Sequence, residues 1–158
     1  MKGDRVTLEV VIEQTTDALP VDLLRLADPD EENIKEYLFE GKLFRARLGG
    51  ETVGALVLLK TRPKTMEIMN ISVYEQYQNK GVGRKLIMRA IEYARESNIK
   101  TLEIGTGNPG LVQMMLYQKC GFRITGIEFD FFRRYLKERV YENGIECRDM
   151  IRMTMELH

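Results

Sequence analysis

Two glycines that lie two residues apart mark the first candidate site in this 158-residue chain, in the stretch QNKGVGRKL at positions 78–86. Glycine permits unusual backbone angles and lets a ligand approach the main chain closely. The first turn of a helix presents unpaired N–H groups and a partial positive charge, which favour an anion such as a pyrophosphate. Lys80, Arg84 and Lys85 add three cations. The stretch therefore predicts either an anion site at a helix N-terminus or a plain turn with a basic rim.

The residue types exclude several other kinds of site. The stretch does not end in Gly-Lys-Ser/Thr, and Leu86 stands where a dinucleotide-binding fingerprint has its third glycine. The single histidine is His158, so neither a Ser-His-Asp site nor a His-ligated zinc site is available. Cys120 has no histidine partner and is interpreted as a small apolar residue at a helix end. A general acid or base must therefore be Glu, Asp, Tyr, Lys or Cys, and no metal is expected.

The hydrophobic pattern predicts the elements that position this loop. Their order is β-α-α-β-β-β-α-β-α-β-β, and the strand–helix–strand unit around residue 83 implies one right-handed parallel crossover. We expect a single domain over residues 1–158, of the α/β (α+β) class, with a central mixed, mostly antiparallel sheet and helices on both faces. The strands are predicted at residues 7–13, 43–48, 52–61, 66–74, 100–105, 122–130 and 145–157, and the helices at 17–27, 28–41, 84–96 and 110–119.

Several residues predict local details of these elements. Asp28 is expected to cap the second helix, with Pro29 at its first position, Glu31 at the capping-box position and Gly41 at its end. Gly49-Gly50 predicts a two-residue hairpin. Alternation in the strand at 66–74 predicts one face with Ile68, Asn70 and Ser72 and the other with Met69, Ile71 and Val73. The apolar residues of the helix at 110–119 are expected in the core, namely Leu111, Met114, Met115 and Leu116.

Two short motifs resemble the signatures of the GCN5-related N-acetyltransferase (GNAT) superfamily. Gln78-Asn79-Lys80-Gly81-Val82-Gly83 is similar to Gln/Arg-x-x-Gly-x-Gly/Ala, which in that family lies between the fourth strand and the third helix. Asn108 and the later Tyr117-x-x-x-Gly121-Phe122 are similar to the second signature, although this chain has two more residues between them than is common in the family. The resemblance is specific over Glu67–Phe122. It implies acetyl-CoA as the acetyl-donating cosubstrate.

The resemblance also implies which residues bind this cosubstrate. Backbone groups of Ile71, Ser72 and Val73 would accept the pantetheine arm, and the Val73 N–H would donate to the thioester carbonyl oxygen. The glycine loop would hold the pyrophosphate. The full set of implied cofactor-binding residues is Ile71, Ser72, Val73, Gln78, Asn79, Lys80, Gly81, Val82, Gly83, Arg84, Asn108 and Tyr117.

Catalytic roles also follow from the resemblance. Tyr117 matches the family's usual general acid, and its ordinary pKa of about 10 exceeds that of a thiol at about 8.5, so it can supply a proton to sulfur. Glu67 and Glu103 match glutamates that serve as base in different branches of the family, and a mechanism with no protein base stays open. We expect direct transfer to a primary amine in a ternary complex. The alternative is a catalytically silent module that binds or senses acyl-CoA.

The charge balance and the length of the apolar runs limit which partners are expected. Charge is balanced at 24 basic and 24 acidic residues, and no apolar run approaches the roughly 20 residues of a membrane span. We therefore expect no nucleic-acid or membrane partner. The two cysteines are too few for a disulfide framework, which favours a cytoplasmic location. The basic and aromatic stretch at 131–139 could indicate an RNA-binding surface, but a solvated face or an acceptor-recognition loop is preferred. If the stretch lines the acceptor cleft, it would favour an acceptor that carries negative charge. The acceptor is expected to be a small-molecule or peptide amine. The resemblance implies that its binding site is built from roughly residues 20–42 and 125–147, and it allows a homodimer.

Overall fold

The computed structural model describes residues 9–158, which contain a seven-stranded mixed sheet and a small hairpin. The strands of the sheet are β1 (Val10–Thr15), β2 (Lys42–Leu48), β3 (Glu51–Arg62), β4 (Thr65–Val73), β5 (Thr101–Gly107), β6 (Arg123–Glu128) and β9 (Met150–Glu156). The hairpin consists of β7 (Tyr141–Glu142) and β8 (Ile145–Glu146). The helices are α1 (Val21–Leu24), α2 (Glu31–Glu40), α3 (Val82–Glu96), α4 (Leu111–Cys120) and α5 (Phe131–Tyr135).

The strand order is β1-β2-β3-β4-β5-β9-β6, and only β4 and β5 run parallel. The crossover between them is α3, as the sequence predicts. The mixed, mostly antiparallel sheet is therefore confirmed. The predicted strand at 145–157 is wrong in its first part, because residues 145–146 belong to the hairpin and the sheet strand begins at Met150. The first strand runs from Val10 to Thr15, and the start predicted for it lies outside the described residues.

Helices cover both faces of the sheet and define two apolar clusters. The larger cluster packs α3 against the sheet, and its helical stripe consists of Leu86, Ile87, Ala90, Ile91 and Ala94, all buried as predicted. The smaller cluster packs α1 and α2 against the opposite face through Leu23, Leu24, Ile34 and Tyr37. In α4, by contrast, only Tyr117 is buried, and the expected core residues Leu111 and Met115 are 67% and 52% exposed.

The N-cap of α2 is Asp30, so the prediction of Asp28 is wrong by two residues. The Asp30 carboxylate accepts hydrogen bonds from the backbone N–H groups of Glu32 and Asn33 at 3.0 and 3.3 Å. Asp28 instead accepts from the Asp30 N–H, the Asn33 amide and the Tyr37 hydroxyl. Its side chain therefore closes the turn before the helix. Because Asp30 takes the cap, the helix begins at Glu31 rather than at Pro29.

The predicted alternation in β4 is correct for Asn70 and Ser72 on one face and Ile71 and Val73 on the other. It is wrong for Ile68 and Met69, because the strand contains a β-bulge. Val57 is opposite Asn70 and the next residue, Leu58, is opposite Ile68, so Met69 is an extra residue. Ile68 therefore lies in the α3 cluster together with Ile71 and Val73. Asn70 faces α1 and α2, where its amide donates to the Leu24 carbonyl and to the Tyr37 hydroxyl, both at 2.9 Å. The bulge changes the twist of β4 just where the strand approaches the glycine loop.

Candidate active site

A gap opens between β4 and β5 beyond the bulge. The two strands pair only from Thr65 to Ile68 and from Thr101 to Ile104, although β4 continues to Val73 and β5 to Gly107. At the open end of β4 the Tyr74 N–H donates to the Val53 carbonyl of β3 at 3.1 Å. Because successive N–H groups of a strand point to opposite sides, the Val73 N–H points away from β3 and into the gap. The open edge of β4 thus offers backbone hydrogen-bonding groups to an extended ligand.

The N-terminus of α3 lies next to the open end of β4. Gly81 is its N-cap, with a left-handed φ of +82° and no side-chain cap. The first helical hydrogen bond runs from the Lys85 N–H to the Gly81 carbonyl at 3.1 Å, so the three N–H groups before it are available to a ligand. A Cβ on Gly81 would meet nothing within 4 Å, so the glycine is required by its backbone angle rather than by crowding. This is the geometry of an anion site.

The remaining residues of the glycine loop surround this helix end. Lys80, Arg84 and Lys85 are exposed, so their charges are free to meet an anion in solution. The Gln78 amide donates to the Val73 carbonyl at 2.9 Å and links the loop to the end of β4. A Cβ on Gly83 would lie 3.4 Å from the Leu116 side chain, so the second glycine lies against α4. The glycine loop therefore contacts the end of β4, the start of α3 and the side of α4.

Tyr117 lies on the inner face of α4. The residue before it, Leu116, is the one that lies against Gly83 of α3. The Tyr117 side chain is 4% exposed and stands edge-on to Phe122 at a ring-centroid distance of 6.3 Å. Burial raises the pKa of the Tyr117 hydroxyl above its ordinary value. The phenol is therefore protonated at neutral pH, which is the state that a proton donor requires.

Glu67 is held by an arginine that sequence analysis did not single out. One amino group of Arg152 lies 2.6 Å from the Glu67 carboxylate, and the other lies 2.8 Å from Glu128 of β6. The Phe131 ring covers the guanidinium at 5.5 Å. Burial raises the pKa of Glu67, while the charge of Arg152 opposes that rise and Glu103 and Glu128 add to it. No local pattern identifies Arg152, since it lies 85 residues from Glu67 in the sequence.

Glu103 is directly opposite Glu67 in the parallel pair of strands, so the two carboxylates lie on the same face of the sheet. The structure thus brings both candidate bases together, but it gives them different partners. Glu103 forms an ion pair with Arg62 at the end of β3, whereas Glu67 pairs with Arg152. Glu67 is also the less exposed of the two, at 13% against 20% for the side chains.

The side chain of Asn108 is directed to the protein's own backbone. Its amide oxygen accepts from the N–H groups of Arg148 and Asp149 at 2.8 and 3.0 Å, and its amide nitrogen donates to the Glu146 carbonyl at 3.1 Å. One amide hydrogen stays available for another acceptor. Asn108 therefore fixes the segment between the hairpin and β9 over the end of β5.

The basic and aromatic stretch at 131–139 packs against this same segment. Arg133 and Arg139 both pair with the carboxylate of Glu146, at 2.8 and 3.0 Å. Arg134 donates to the Phe129 carbonyl at 2.7 Å. These contacts compensate much of the positive charge within the protein itself, which supports the preference for a solvated or acceptor-facing loop over an RNA-binding surface.

The two cysteines do not resemble activated nucleophiles. Burial raises the pKa of Cys120, and burial together with Glu142 and Glu146 raises the pKa of Cys147 to about 11. Both thiols are therefore protonated at neutral pH. Among residues 9–158 no cluster of His, Cys, Asp and Glu could hold a metal ion. Likewise, the described helices include none that is long and apolar enough to cross a membrane.

A mixed sheet that opens between two parallel strands, beside a glycine-capped helix, can hold an extended ligand that ends in an anion. Comparison with known proteins agrees with this geometry: the Acetyltransferase (GNAT) family matches residues 9–122. The chain therefore belongs to the GNAT acetyltransferase family, and the predicted family and fold are confirmed.

Three similar proteins extend this comparison over nearly the whole chain. The uncharacterized N-acetyltransferase YvbK of Bacillus subtilis (strain 168) is 52% identical over 145 residues, which are 92% of this chain and 93% of YvbK. The structure of an IAA acetyltransferase from Bacillus cereus ATCC 14579 is 53% identical, with a TM-score of 0.91, and the match covers 94% of this chain and 100% of that one. A GNAT acetyltransferase from Elizabethkingia anophelis, crystallised with acetyl-CoA bound, is 46% identical with a TM-score of 0.91 over 94% of this chain and 98% of that one.

Proposed function

We propose that this chain is a single-domain N-acetyltransferase that transfers the acetyl group of acetyl-CoA directly to a primary amine. The observation that carries the proposal is the gap between β4 and β5, which leads to the N-terminus of α3, where no side chain caps the helix. A strand edge and a helix N-terminus in this arrangement fit an extended chain that ends in a pyrophosphate. The relative from Elizabethkingia anophelis, which has acetyl-CoA bound, supports the same cosubstrate here.

The residues at the gap fit acetyl-CoA in chemical type. Backbone groups of Ile71 and Val73 would hold the pantetheine amides, because an extended arm can take the place of a neighbouring strand along β4. The backbone groups of Ser72, between them, point toward β3 instead. The loop from Gln78 to Arg84 would hold the pyrophosphate through N–H groups and basic side chains. The Asn108 side chain could add one hydrogen bond, but we propose that its main role is to position the Glu146–Asp149 segment.

Two groups of the chain would act on the thioester of acetyl-CoA. When bound, acetyl-CoA supplies an acetyl group that is activated as a thioester. The Val73 N–H would donate to the oxygen on which negative charge develops. Tyr117 would hold the proton that the leaving sulfur takes up, because burial keeps its hydroxyl protonated.

We propose Glu67 rather than Glu103 as the base that takes a proton from the amine, directly or through water. Burial raises the pKa of Glu67 toward the range in which a carboxylate accepts a proton readily. Arg152 keeps the carboxylate in one position by a bond of 2.6 Å. Glu103 instead forms an ion pair with Arg62, the last residue of β3.

Direct transfer is supported by the state of the cysteines. Cys120 is the cysteine closest in sequence to the catalytic tyrosine, and its pKa is raised by burial. We expect Cys120→Ala to keep turnover within about twofold, since a thiol that is protonated at neutral pH is a poor nucleophile. Loss of turnover in a variant that still binds acetyl-CoA would instead indicate a covalent acetyl-enzyme.

The test of the proposed function is release of CoA from acetyl-CoA in the presence of a panel of amines, with mass spectrometry of the products. IAA is tested beside the amine panel, as a separate candidate acceptor, because a relative at 53% identity is named an IAA acetyltransferase. Turnover with any primary amine supports the proposal. Tight binding of acetyl-CoA with no turnover across the panel would favour the catalytically silent module instead.

A further inference from the structure

A small cavity lies between α5, the chain that follows it and the hairpin strand β8. We call it the α5–β8 cavity, and its volume is about 130 Å³. Its charged lining residues are Arg133, Lys137, Glu138, Arg139 and Glu146. Three cations and two carboxylates leave one positive charge in excess, so the cavity favours a negatively charged group over a positively charged one.

The α5–β8 cavity lies on the same face of the sheet as Glu67. Two of its uncharged lining residues, Phe132 and Cys147, pack on Gly107 at the end of β5, where a Cβ would overlap the Cys147 sulfur. This Cβ position is on the same face as Glu103, because alternate residues of a strand share a face and β5 pairs with β9 without a register shift. Glu67 is opposite Glu103 and shares that face.

This face is the one from which an amine would reach the proposed base. The other face carries α3, whose N-terminus would hold the pyrophosphate. Phe131 covers the guanidinium of Arg152, which holds Glu67, and the next residue, Phe132, lines the cavity. Helix α5 therefore extends from the surroundings of the proposed base to the cavity, and both belong to one acceptor-binding region.

Glu146 holds two of the cations of the cavity in fixed positions. Arg133 donates to its carboxylate from Nε at 3.1 Å and from Nη2 at 2.8 Å, and Arg139 donates from Nη1 at 3.0 Å. A guanidinium has five N–H donors, so these bonds use only part of each group. The Glu146 side chain is 16% exposed, whereas those of Arg133 and Arg139 are 37% and 55% exposed. A ligand can therefore reach guanidinium groups that are already positioned, which lowers the ordering cost of binding.

We propose that the acceptor amine also carries a carboxylate, and that this carboxylate binds in the α5–β8 cavity to Arg133, Lys137 and Arg139. Arginine binds carboxylates through paired, charge-assisted hydrogen bonds, and lysine adds a point charge. The inference rests on the proposed function, because it assigns a substrate class to the same acetyl transfer. The amine reacts near Glu67, while the carboxylate takes no part in bond formation and holds the acceptor in place.

The first test compares acids with their amides in the acetyl-transfer assay. The acceptors are β-alanine, γ-aminobutyrate and ε-aminocaproate, each beside its primary amide, so that the spacing between amine and carboxylate is varied. For at least one pair we expect kcat/KM for the acid to exceed that for the amide by about tenfold or more, through a lower KM. Arg139→Gln should lower this acid-to-amide ratio about tenfold, because it removes one of the cations that bind the carboxylate.

Arg134→Gln is the matched control for that measurement. It removes the same charge from α5, but Arg134 is outside the lining of the cavity, donates to the Phe129 carbonyl and pairs with Glu128. Its acid-to-amide ratio should stay that of the native protein. A ratio that falls equally in both variants would mean that only the net charge of this surface matters, and would overturn the proposed site.

The second test reads binding without turnover. Butyrate is titrated into the native protein in the presence of CoA, and the NMR signals of the arginine Nε–H groups are followed. The signals of Arg133 and Arg139, assigned with Arg133→Lys and Arg139→Lys, should shift saturably with butyrate and stay in place with butyramide. The signal of Arg134 should not move with either.

The two tests separate failure of this inference from failure of the proposed function. Equal kcat/KM for acids and amides, or an acid preference that Arg139→Gln leaves intact, would overturn the carboxylate site while acetyl transfer to amines stands. No turnover with any amine would contradict the proposed function. The butyrate titration would then decide by itself whether the cavity binds a carboxylate, and unshifted Arg133 and Arg139 signals would show that it does not.

Discussion

At the scale of single residues, the proposed chemistry depends on the protonation of two side chains. Tyr117 is buried and Glu67 is partly buried, and burial disfavours the charged form of each group. For the tyrosine this maintains a proton donor, and for the glutamate it produces a stronger base. The same physical effect therefore suits the proposed acid and the proposed base to opposite tasks.

Tyr117→Phe should lower kcat by a factor on the order of 10²–10⁴, because it removes the proton donor and keeps the ring. The affinity for acetyl-CoA should change little, since the ring still packs against Phe122. Steady-state kinetics with calorimetry would separate these quantities. Tyr93→Phe is the matched control, because Tyr93 packs edge-on to Phe44 away from the gap and its variant should keep native turnover.

Arg152→Gln should move the acidic limb of the kcat/KM–pH profile to higher pH. The positive charge of Arg152 lowers the pKa of Glu67, whereas burial, Glu103 and Glu128 raise it, so loss of the arginine lets the pKa rise further. The rate is lost as the pH falls through this pKa, and the loss would then begin at a higher pH.

Arg62→Gln is the control for that measurement, since Arg62 pairs with Glu103. Its acidic limb should stay in place if Glu67 is the base. A shift in Arg62→Gln but not in Arg152→Gln would assign the base to Glu103. A limb that neither variant moves would mean that no protein carboxylate acts as the base.

At the scale of elements, the bulge in β4 connects the fold to the site. The extra residue Met69 lies at the point where pairing with β5 ends. Beyond it, Asn70 turns toward α1 and α2, where it meets the Leu24 carbonyl and the Tyr37 hydroxyl. The open strand end is thus anchored from the opposite face of the sheet.

Tyr37→Phe should lower the free energy of unfolding by about 1–3 kcal/mol, because it leaves one N–H of the buried Asn70 amide without a partner. Urea denaturation would measure the change. Tyr74→Phe removes an exposed hydrogen bond to Asp22 and should cost at most about 0.5 kcal/mol. Equal losses in the two variants would contradict the anchoring role of Asn70.

Elements with strong local signals could be predicted from the sequence. The α3 stripe, the Gly49-Gly50 hairpin and the parallel crossover through α3 agree with the structure because each depends on residues close together in the sequence. The bulge at Met69 was missed because it depends on the register with β3, which a single strand does not encode. The cap of α2 was missed because Asp28 and Asp30 satisfy the same local rule.

At the scale of the whole molecule, the candidate site combines segments from much of the chain. The glycine loop and the signature around Tyr117 are local motifs, and the sequence predicted them together. Arg152 and Glu128 come from the last strands and reach Glu67 only through tertiary pairing. Patterns within one segment do not predict such contacts. The residues proposed to bind the cosubstrate could therefore be predicted from the sequence better than the residues around Glu67.

The central claim is that the glycine loop binds the pyrophosphate of acetyl-CoA, and calorimetric titration of native protein beside Gly81→Asp tests it most directly. Gly49→Asp is the matched control, because Gly49 also has a left-handed φ, +62° against +82°, and open space around its Cβ position. We expect micromolar binding by the native protein and by Gly49→Asp. Gly81→Asp should lose binding while it still unfolds cooperatively, since the aspartate places negative charge at the anion site. Native affinity in Gly81→Asp, or no binding by well-folded native protein, would contradict the account.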